Sequence, residues 1–316
     1  MKNQLILNAT IVALMFSTIA KSHDNVMSFE DMSKAFGWNF EKTQIITEKL
    51  DDGMFVMFGV GGNILVSVGD DGTMIVDDQF PQMMPKIQAA LSEVGSSNVD
   101  YALNTHWHFD HAQGNLTLGK GATTIVSQSN SRSMMLDDHL VNFGAMAYEQ
   151  KAYPEHALAD ITFDSTMGIH FNGEKIDLMH YGAAHTTGDA AIWFRGRNVI
   201  HMGDVYNNSG YPFIDVDNGG QLRGMIDFCQ KVYDQIDEKT IVVPGHGAVA
   251  NRAKLGRYIE ILTILESRIQ KLIDEGKDLE AIIAAKPSSE FDAELKAPDF
   301  IVGVFLNRVY ASLTAK

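Results

Sequence analysis

The stretch "LNTHWHFDHAQGN", residues 103–115, places His106, His108, Asp110 and His111 within six positions of a chain that has 11 histidines in 316 residues. In extended backbone, residues two apart project to the same side. His106 and His108 can therefore reach one ion together, while Trp107 turns the other way into packing and anchors the loop. Asp110 and His111 follow as the chain turns, placed to face a second ion beside the first. A catalytic zinc takes three protein ligands plus water, so the four donors need partners elsewhere. The sequence supplies them. His185 stands in "YGAAHTTGD" (181–189), Asp204 ends "VIHMGD" (199–204), and His246 ends "IVVPGHG" (241–247). Each follows a β-rich run, where enzymes place ligands on a rigid scaffold.

Outward from this stretch, short β-rich runs, Gly and Asp-Gly turns, and helical segments alternate. "GMFVMFGVGGNILVSVGDDGTMIVDDQF" (53–80) reads as strands, with a hairpin turn at "GDDG" (69–72). "PQMMPKIQAALSEVG" (81–95) has helical spacing and "DYALNT" (100–105) is the strand that delivers the chain to His106. The pattern then repeats in kind: strand "ATTIVSQ" (122–128), a helix over 131–150, and strands within 161–204. A helix "LRGMIDFCQKVYDQI" (222–236) and the strand at 240–243 follow, and 251–316 is mostly helical with a break near "AAKPSSEFD" (284–292). Two sets of strands followed by helices predict an α/β fold with two sheets face to face and helices outside. No repeat or low-complexity linker divides the chain, so residues 23–316 are expected to form one domain, with a core at about 52–250 and C-terminal helices at 251–316.

The composition is that of a globular chain, 45% hydrophobic, with net charge −15. Such an acidic balance makes nucleic acid a poor partner. Lys2 followed by an apolar stretch from Leu5 to Ala20 reads as a cleaved signal peptide over 1–22, an uncleaved N-terminal anchor being the other reading. An exported, periplasmic protein without stable membrane insertion after cleavage is the expectation. The single cysteine, Cys229, lies on the apolar side of a helical segment and reads as a buried core thiol. The C-terminal "PDFIVGVFLNRVYASL" (298–313) is expected to pack on the body, a dimer contact being the other reading. His201 reads as a packed strand histidine or a support for Asp204, and His170 and His180 need no function.

The H-x-H-x-D-H run with its distant His, Asp and His resembles the metallo-β-lactamase superfamily, over roughly residues 52–250. The resemblance implies a four-layer αββα sandwich of two mixed sheets. It implies that His106, His108 and His185 ligate a first metal, Asp110, His111 and His246 a second, and that Asp204 bridges the two. Two Zn²⁺ ions are the expected cofactors, with iron or manganese the other metals such a site accepts. An aspartate behind the ligand loop is part of the family pattern; Asp77 in "MIVDDQF" (74–80) fits it, with Asp78 as the neighbouring alternative. β-Lactamases of this family usually carry Cys or Ser where Asp204 stands; aspartate is more typical of thioesterases, lactonases and phosphodiesterases.

The expectation is therefore a dinuclear zinc hydrolase that cleaves an amide, ester or lactone bond of a small molecule, possible β-lactamase activity included. A hydroxide shared by the ions would attack, with Asp110 as its orienting and proton-carrying catalytic residue. Tyr206, Asn207 and Asn208, just past Asp204, are candidate substrate contacts or simple turn residues. The alternatives are a non-hydrolytic iron enzyme resembling persulfide dioxygenases and a phosphodiesterase.

Overall fold

Strands that read as near-continuous apolar runs need a buried layer on each side, and the observed sheets place one there. The computed structural model describes residues 26–144 and 146–315; the signal-peptide reading over 1–22 lies outside the described residues. The chain begins with β1 (Val26–Met27) and α1 (Phe29–Ala35), followed by strands β2 (Ile46–Asp51), β3 (Met54–Phe58), β4 (Ile64–Gly69) and β5 (Gly72–Val76). Helix α2 (Met84–Glu93) leads to β6 (Tyr101–Leu103), short helices α3 (Phe109–Ala112) and α4 (Asn115–Leu118), and β7 (Thr124–Gln128). Next come α5 (Ser129–Met134), β8 (His139–Asn142), β9 (Ala147–Gln150) and β10 (Ile161–Phe163). A seven-stranded sheet has the order β10-β7-β6-β5-β4-β3-β2.

The second half runs through β11 (Thr166–Phe171), β12 (Glu174–Met179), β13 (Ala191–Phe194), β14 (Val199–His201), α6 (Leu222–Tyr233), β15 (Ile241–Val243) and β16 (Ala250–Asn251). Those strands form a six-stranded sheet in sequence order. Helices α7 (Arg252–Asp274), α8 (Leu279–Ala285), α9 (Ser289–Asp292) and α10 (Asp299–Thr314) complete the chain.

Side chains alternate faces along each strand, and here that alternation separates three apolar layers. Along β4, Leu65 faces the core between the sheets, whereas Ile64 and Val66 face the layer shared with Ile87 and Leu91 of α2. Along β13, Ile192 and Phe194 face the central core, whereas Ala191 and Trp193 meet Phe228 of α6 and Leu262 of α7 on the outer face. The result is helix, sheet, sheet, helix, the four-layer α/β sandwich expected. Cys229 is buried in the outer layer, where burial pushes its thiol up. Among the described residues no helix is long and apolar enough to cross a membrane.

One expectation needs correction. The segment 131–150 is not one helix: after α5 it forms the hairpin β8–β9, whose second strand pairs in parallel with β1 (Val26↔Ala147) in a separate three-stranded sheet. Gly144, at φ 88°, makes the turn, with its N–H bonded to Asn142 Oδ1 (2.8 Å). Pairing with a distant strand overrides the local helical spacing. Residues that precede the expected core also pack against it. Phe29, Trp38 and Phe40 pack on Phe80, and Trp38 also meets Phe109 at 6.0 Å between ring centroids.

Candidate metal centre

Strands β5 and β6 run parallel, as do β14 and β15. Strand β12 points the same way as β14, because β13 is antiparallel to both. The loops that leave the C-terminal ends of these five strands carry Asp77, His106–His111, Asp204, His246 and His185. All converge at one edge of the sandwich. The short loops hold the ligands on a frame set by sheet hydrogen bonds rather than by the loops themselves.

Donor atoms gather in three groups, each within 4.8 Å: His106, His108 and His185; His106, His111 and Asp204; Asp110, His111 and His246. His108 Nδ1 lies 2.9 Å from His185 Nε2. His111 Nε2 lies 3.2 Å from His246 Nε2, which in turn is 3.2 Å from Asp110 Oδ2. Asp204 stands between the groups: Oδ1 is 3.1 Å from His111 Nε2 and 3.4 Å from His246 Nε2, and Oδ2 is 3.8 Å from His185 Nε2. Tetrahedral zinc with bonds of about 2.0–2.1 Å separates its ligand atoms by about 3.3 Å, close to these spacings.

The hydrogen bonds behind the ring nitrogens fix which nitrogen is free. Asp77 Oδ1 accepts the Thr105 N–H (2.7 Å), and Oδ2 accepts both the Thr105 hydroxyl (2.8 Å) and His111 Nδ1–H (2.7 Å). With its proton given to Asp77, the Thr105 oxygen accepts from His106 Nδ1–H at 3.0 Å. His185 Nδ1–H donates to Phe213 O (2.8 Å), and His108 Nε2–H donates to Asp215 Oδ2 (2.9 Å). These assignments leave His106 Nε2, His108 Nδ1, His111 Nε2 and His185 Nε2 as lone-pair donors facing the cluster. His106 Nε2 is buried with no hydrogen-bond partner. An orphaned buried nitrogen is costly and suits a metal ion, so the residues fit the expected cofactor. A hydrogen-bonded partner behind each ligating imidazole is the usual companion of such sites.

Electrostatics divide the site. Burial, reinforced by the neighbouring histidines, depresses His106 well below its ordinary value, and burial with His108 lowers His185. Both are neutral, the form that ligates. Burial opposes charge on Asp204 and Asp110, yet His246 and His111 hold Asp204 well below the usual carboxylate range, and His111 and His246 hold Asp110 below it as well.

The sequence offers Asp77 as the supporting carboxylate with Asp78 as the alternative, and it is Asp77 that meets His111. Asp78 instead accepts from Asn104 Nδ2 (3.5 Å); burial, then the Asp77 charge, raises it well above the carboxylate range. Trp107 is fully buried, its ring 4.7 Å from that of His108. His201 donates from Nε2 to Asn63 O (2.9 Å) and accepts the Gly203 N–H at Nδ1 (3.1 Å), so it shapes the turn that carries Asp204. His170 is exposed on β11, and His180 bonds Asp189 O at 2.7 Å.

The three candidate substrate contacts separate. Asn207 lines the cleft above the cluster. Tyr206 does not: it is 1% exposed and its ring packs on Tyr258 at 5.0 Å. Residue 206 is extended (φ −123°, ψ 117°), so it and its neighbour face opposite sides. Asn208 is outside the cleft lining; its Nδ2 donates to Ala248 O (2.7 Å) and braces the loop after His246.

Several supports went unread in the sequence. Asp215 holds His108 and is itself bonded by Asn218 Nδ2 (2.9 Å to each oxygen). Asn63 ties the first sheet to the His246 loop, its Nδ2 donating to Pro244 O (2.9 Å) and Gly247 O (2.8 Å). Gln150 on β9 accepts the Phe109 N–H (3.0 Å) and donates to Trp107 O (2.9 Å), clamping the ligand loop. Gly62 lies so close to His111 that a Cβ would enter the imidazole ring. The local signal for Gly62 is the Gly-Gly pair at 61–62; for Asp215 and Gln150 there is none.

Above the cluster opens a cleft of about 320 Å³, lined by His108, Asp110, His185, Asp204 and His246 at its floor and by Phe36, Trp38, Phe143 and Phe213 on its walls.

A family model described as the metallo-beta-lactamase superfamily matches residues 57–246. Among solved structures, a metallo-beta-lactamase from Pontibacter korlensis is similar with a TM-score of 0.57 at 14% identity, over 70% of this chain and 99% of that one. The DIM-1 metallo-beta-lactamase is similar with a TM-score of 0.54 at 15% identity, again over 70% and 99%. At such identities the likeness shows the fold alone. The curated "Beta-lactamase-like protein 2 homolog" of Caenorhabditis elegans is 23% identical over 211 residues, 65% of this chain; the match spans 63% of that relative's length. With the family model matching residues 57–246, across the strands and loops that carry the cluster, this chain belongs to the metallo-beta-lactamase superfamily.

Proposed function

We propose that the protein is a dinuclear zinc hydrolase acting on an amide, ester or lactone bond of a small molecule. One observation carries the reading: Asp204 turns one oxygen toward His111 and His246 and the other toward His185. A single carboxylate thus joins two histidine clusters, as a two-ion site needs. His106, His108 and His185 would hold one ion and Asp110, His111 and His246 the other, with Asp204 shared. Bound zinc would polarise the scissile carbonyl and bring the pKa of a coordinated water toward neutrality.

The chain's own residues do the rest. Asp110, held ionised beside His246 at 3.2 Å, is an acceptor at the cluster's edge. It orients the attacking water, takes its proton and returns it to the leaving nitrogen or oxygen. Asn207 lines the same cleft. Its Oδ1 is occupied by the Ser209 N–H and hydroxyl (2.7 Å each), which holds the amide in one orientation. The aromatic walls exclude water and favour a substrate with an apolar body. They offer the polyanionic backbone of a nucleic acid little, so a small-molecule substrate is preferred. With residues 1–22 read as a cleaved signal, we place this reaction in the periplasm, with a small molecule and no nucleic acid as partner.

The test is turnover of a chromogenic cephalosporin, an aryl ester, a lactone and a thioester by the zinc-loaded protein, with Asp110→Ala as control. Asp110-dependent hydrolysis of any one supports the reading. A fully metallated protein that turns over none refutes it, and activity confined to an iron-loaded form with a persulfide would put an iron oxygenase in its place.

A further inference from the structure

Part of the cleft wall comes from outside the segment shared with the family. Phe36 and Trp38 precede residue 57, and Leu295, Lys296, Pro298 and Ile301 follow residue 246. Phe36 stacks on Trp38 (5.0 Å, 15°) and meets Phe143 edge-on (5.3 Å), and Phe143 reaches Phe213 at 4.9 Å. These four rings form one continuous apolar wall. Facing them is the turn between α9 and α10, where Lys296 has left-handed backbone (φ 51°).

That turn is held firmly. Its Ala297 N–H bonds Asp292 O (3.0 Å), and Tyr211 donates its hydroxyl to Asp292 Oδ1 (2.7 Å) while stacking on Phe305 (4.4 Å). Arg257 of α7 grips Glu294 through two bonds, at 3.0 and 2.7 Å. A fixed segment presents a side chain at a small entropic cost. Lys296 is the one lysine or arginine among the described residues lining the cleft, in a chain of net charge −15. The two lining carboxylates, Asp110 and Asp204, are engaged with histidines at the floor, which leaves the ammonium for a ligand.

We propose that Leu295–Ile301 is the specificity arm of the cleft, and that Lys296 pairs with an anionic group on a substrate whose apolar body lies against Phe36, Trp38, Phe143 and Phe213. The substrate class is thus an amphiphilic anion, aromatic or branched-aliphatic, that carries the scissile bond at the cluster. This inference rests on the hydrolase reading for what happens to the bond, but the binding it describes is separate from turnover.

The probes are 2-naphthalenesulfonate, an aromatic anion that ligates zinc poorly, and methyl 2-naphthyl sulfone, its uncharged counterpart. Binding to the zinc-loaded full chain is followed by calorimetry. The wild type is expected to prefer the sulfonate about fivefold, the ratio that one partly exposed ion pair of about 1 kcal/mol gives. Lys296→Ala abolishes the preference without weakening the sulfone, Lys296→Arg retains it, and Phe143→Ala weakens both probes about tenfold. Absence of a sulfonate preference in the wild type, or its persistence in Lys296→Ala, overturns the assignment of Lys296. Unchanged affinities in Phe143→Ala overturn the apolar wall. Probe binding as described, with no hydrolysis of any carbonyl substrate, would instead count against the hydrolase reading and leave the arm standing.

Discussion

Asp77→Asn is the perturbation that most sharply separates a supported metal site from a chance cluster. Asp77 accepts three hydrogen bonds, from the Thr105 N–H, the Thr105 hydroxyl and His111 Nδ1–H. It sits at φ 63°, a conformation that asparagine tolerates as readily as aspartate. The backbone is therefore unstrained and the volume unchanged. What changes is chemistry: one acceptor oxygen becomes an NH₂. If the amide oxygen serves His111, the NH₂ meets the Thr105 N–H; turned over, it faces His111 Nδ1–H. Either way at least one buried donor is unpaired, at about 1–3 kcal/mol. His111 loses the anion that holds its tautomer, and Thr105 loses its grip on His106. Such supports are worth about 10–100-fold in metal affinity, or about 1.4–2.7 kcal/mol. The assay is competition for zinc against a chromogenic chelator, with circular dichroism to confirm the fold. A folded variant that binds zinc as tightly as the wild type would refute the inference that Asp77 organises the site.

Two further outcomes follow from the geometry. Gly62→Ala forces a methyl group into the His111 ring; it should cost about 1–3 kcal/mol of stability by overpacking and weaken metal binding, seen as a lower melting temperature and reduced zinc content. Zinc affinity should also depend on pH. Burial opposes charge on His246, but Asp204 and Asp110 hold its imidazolium up to about 10 in the metal-free chain. The ion must displace that proton, so affinity rises with pH from 6 to 9, and binding at pH 7 releases protons. Calorimetry in buffers of different ionisation enthalpy measures this; zero proton release would contradict it. For the metal-free fold the sign is opposite. The imidazolium's contribution is fully present below about 6.5, the ordinary histidine value, and is lost as pH rises through about 10.

The residues of the candidate metal cluster were legible because each follows a strand, and because four of them sit within six positions. Two successive sets of strands and helices likewise announced two sheets. Asp215 could not be read: it meets His108 across 107 positions, and nothing local to "YPFIDVDNGG" distinguishes a buried support from a turn aspartate. The hairpin at 139–150 was misread because its apolar spacing suits either helix or strand, and only pairing with Val26–Met27 decides between them. That error hid Gln150 and Phe143, one clamping the ligand loop and the other walling the cleft. Tyr206 was misassigned for a simpler reason: proximity in sequence to Asp204 does not say which side of an extended chain faces the substrate.

Metal stoichiometry is the most direct test of the central claim. Elemental analysis of the zinc-reconstituted protein should give two ions per chain, falling to one in His246→Ala, with carbonyl-bond hydrolysis abolished in the variant. One ion in both proteins, with activity unchanged by the loss of His246, would contradict a two-ion hydrolase.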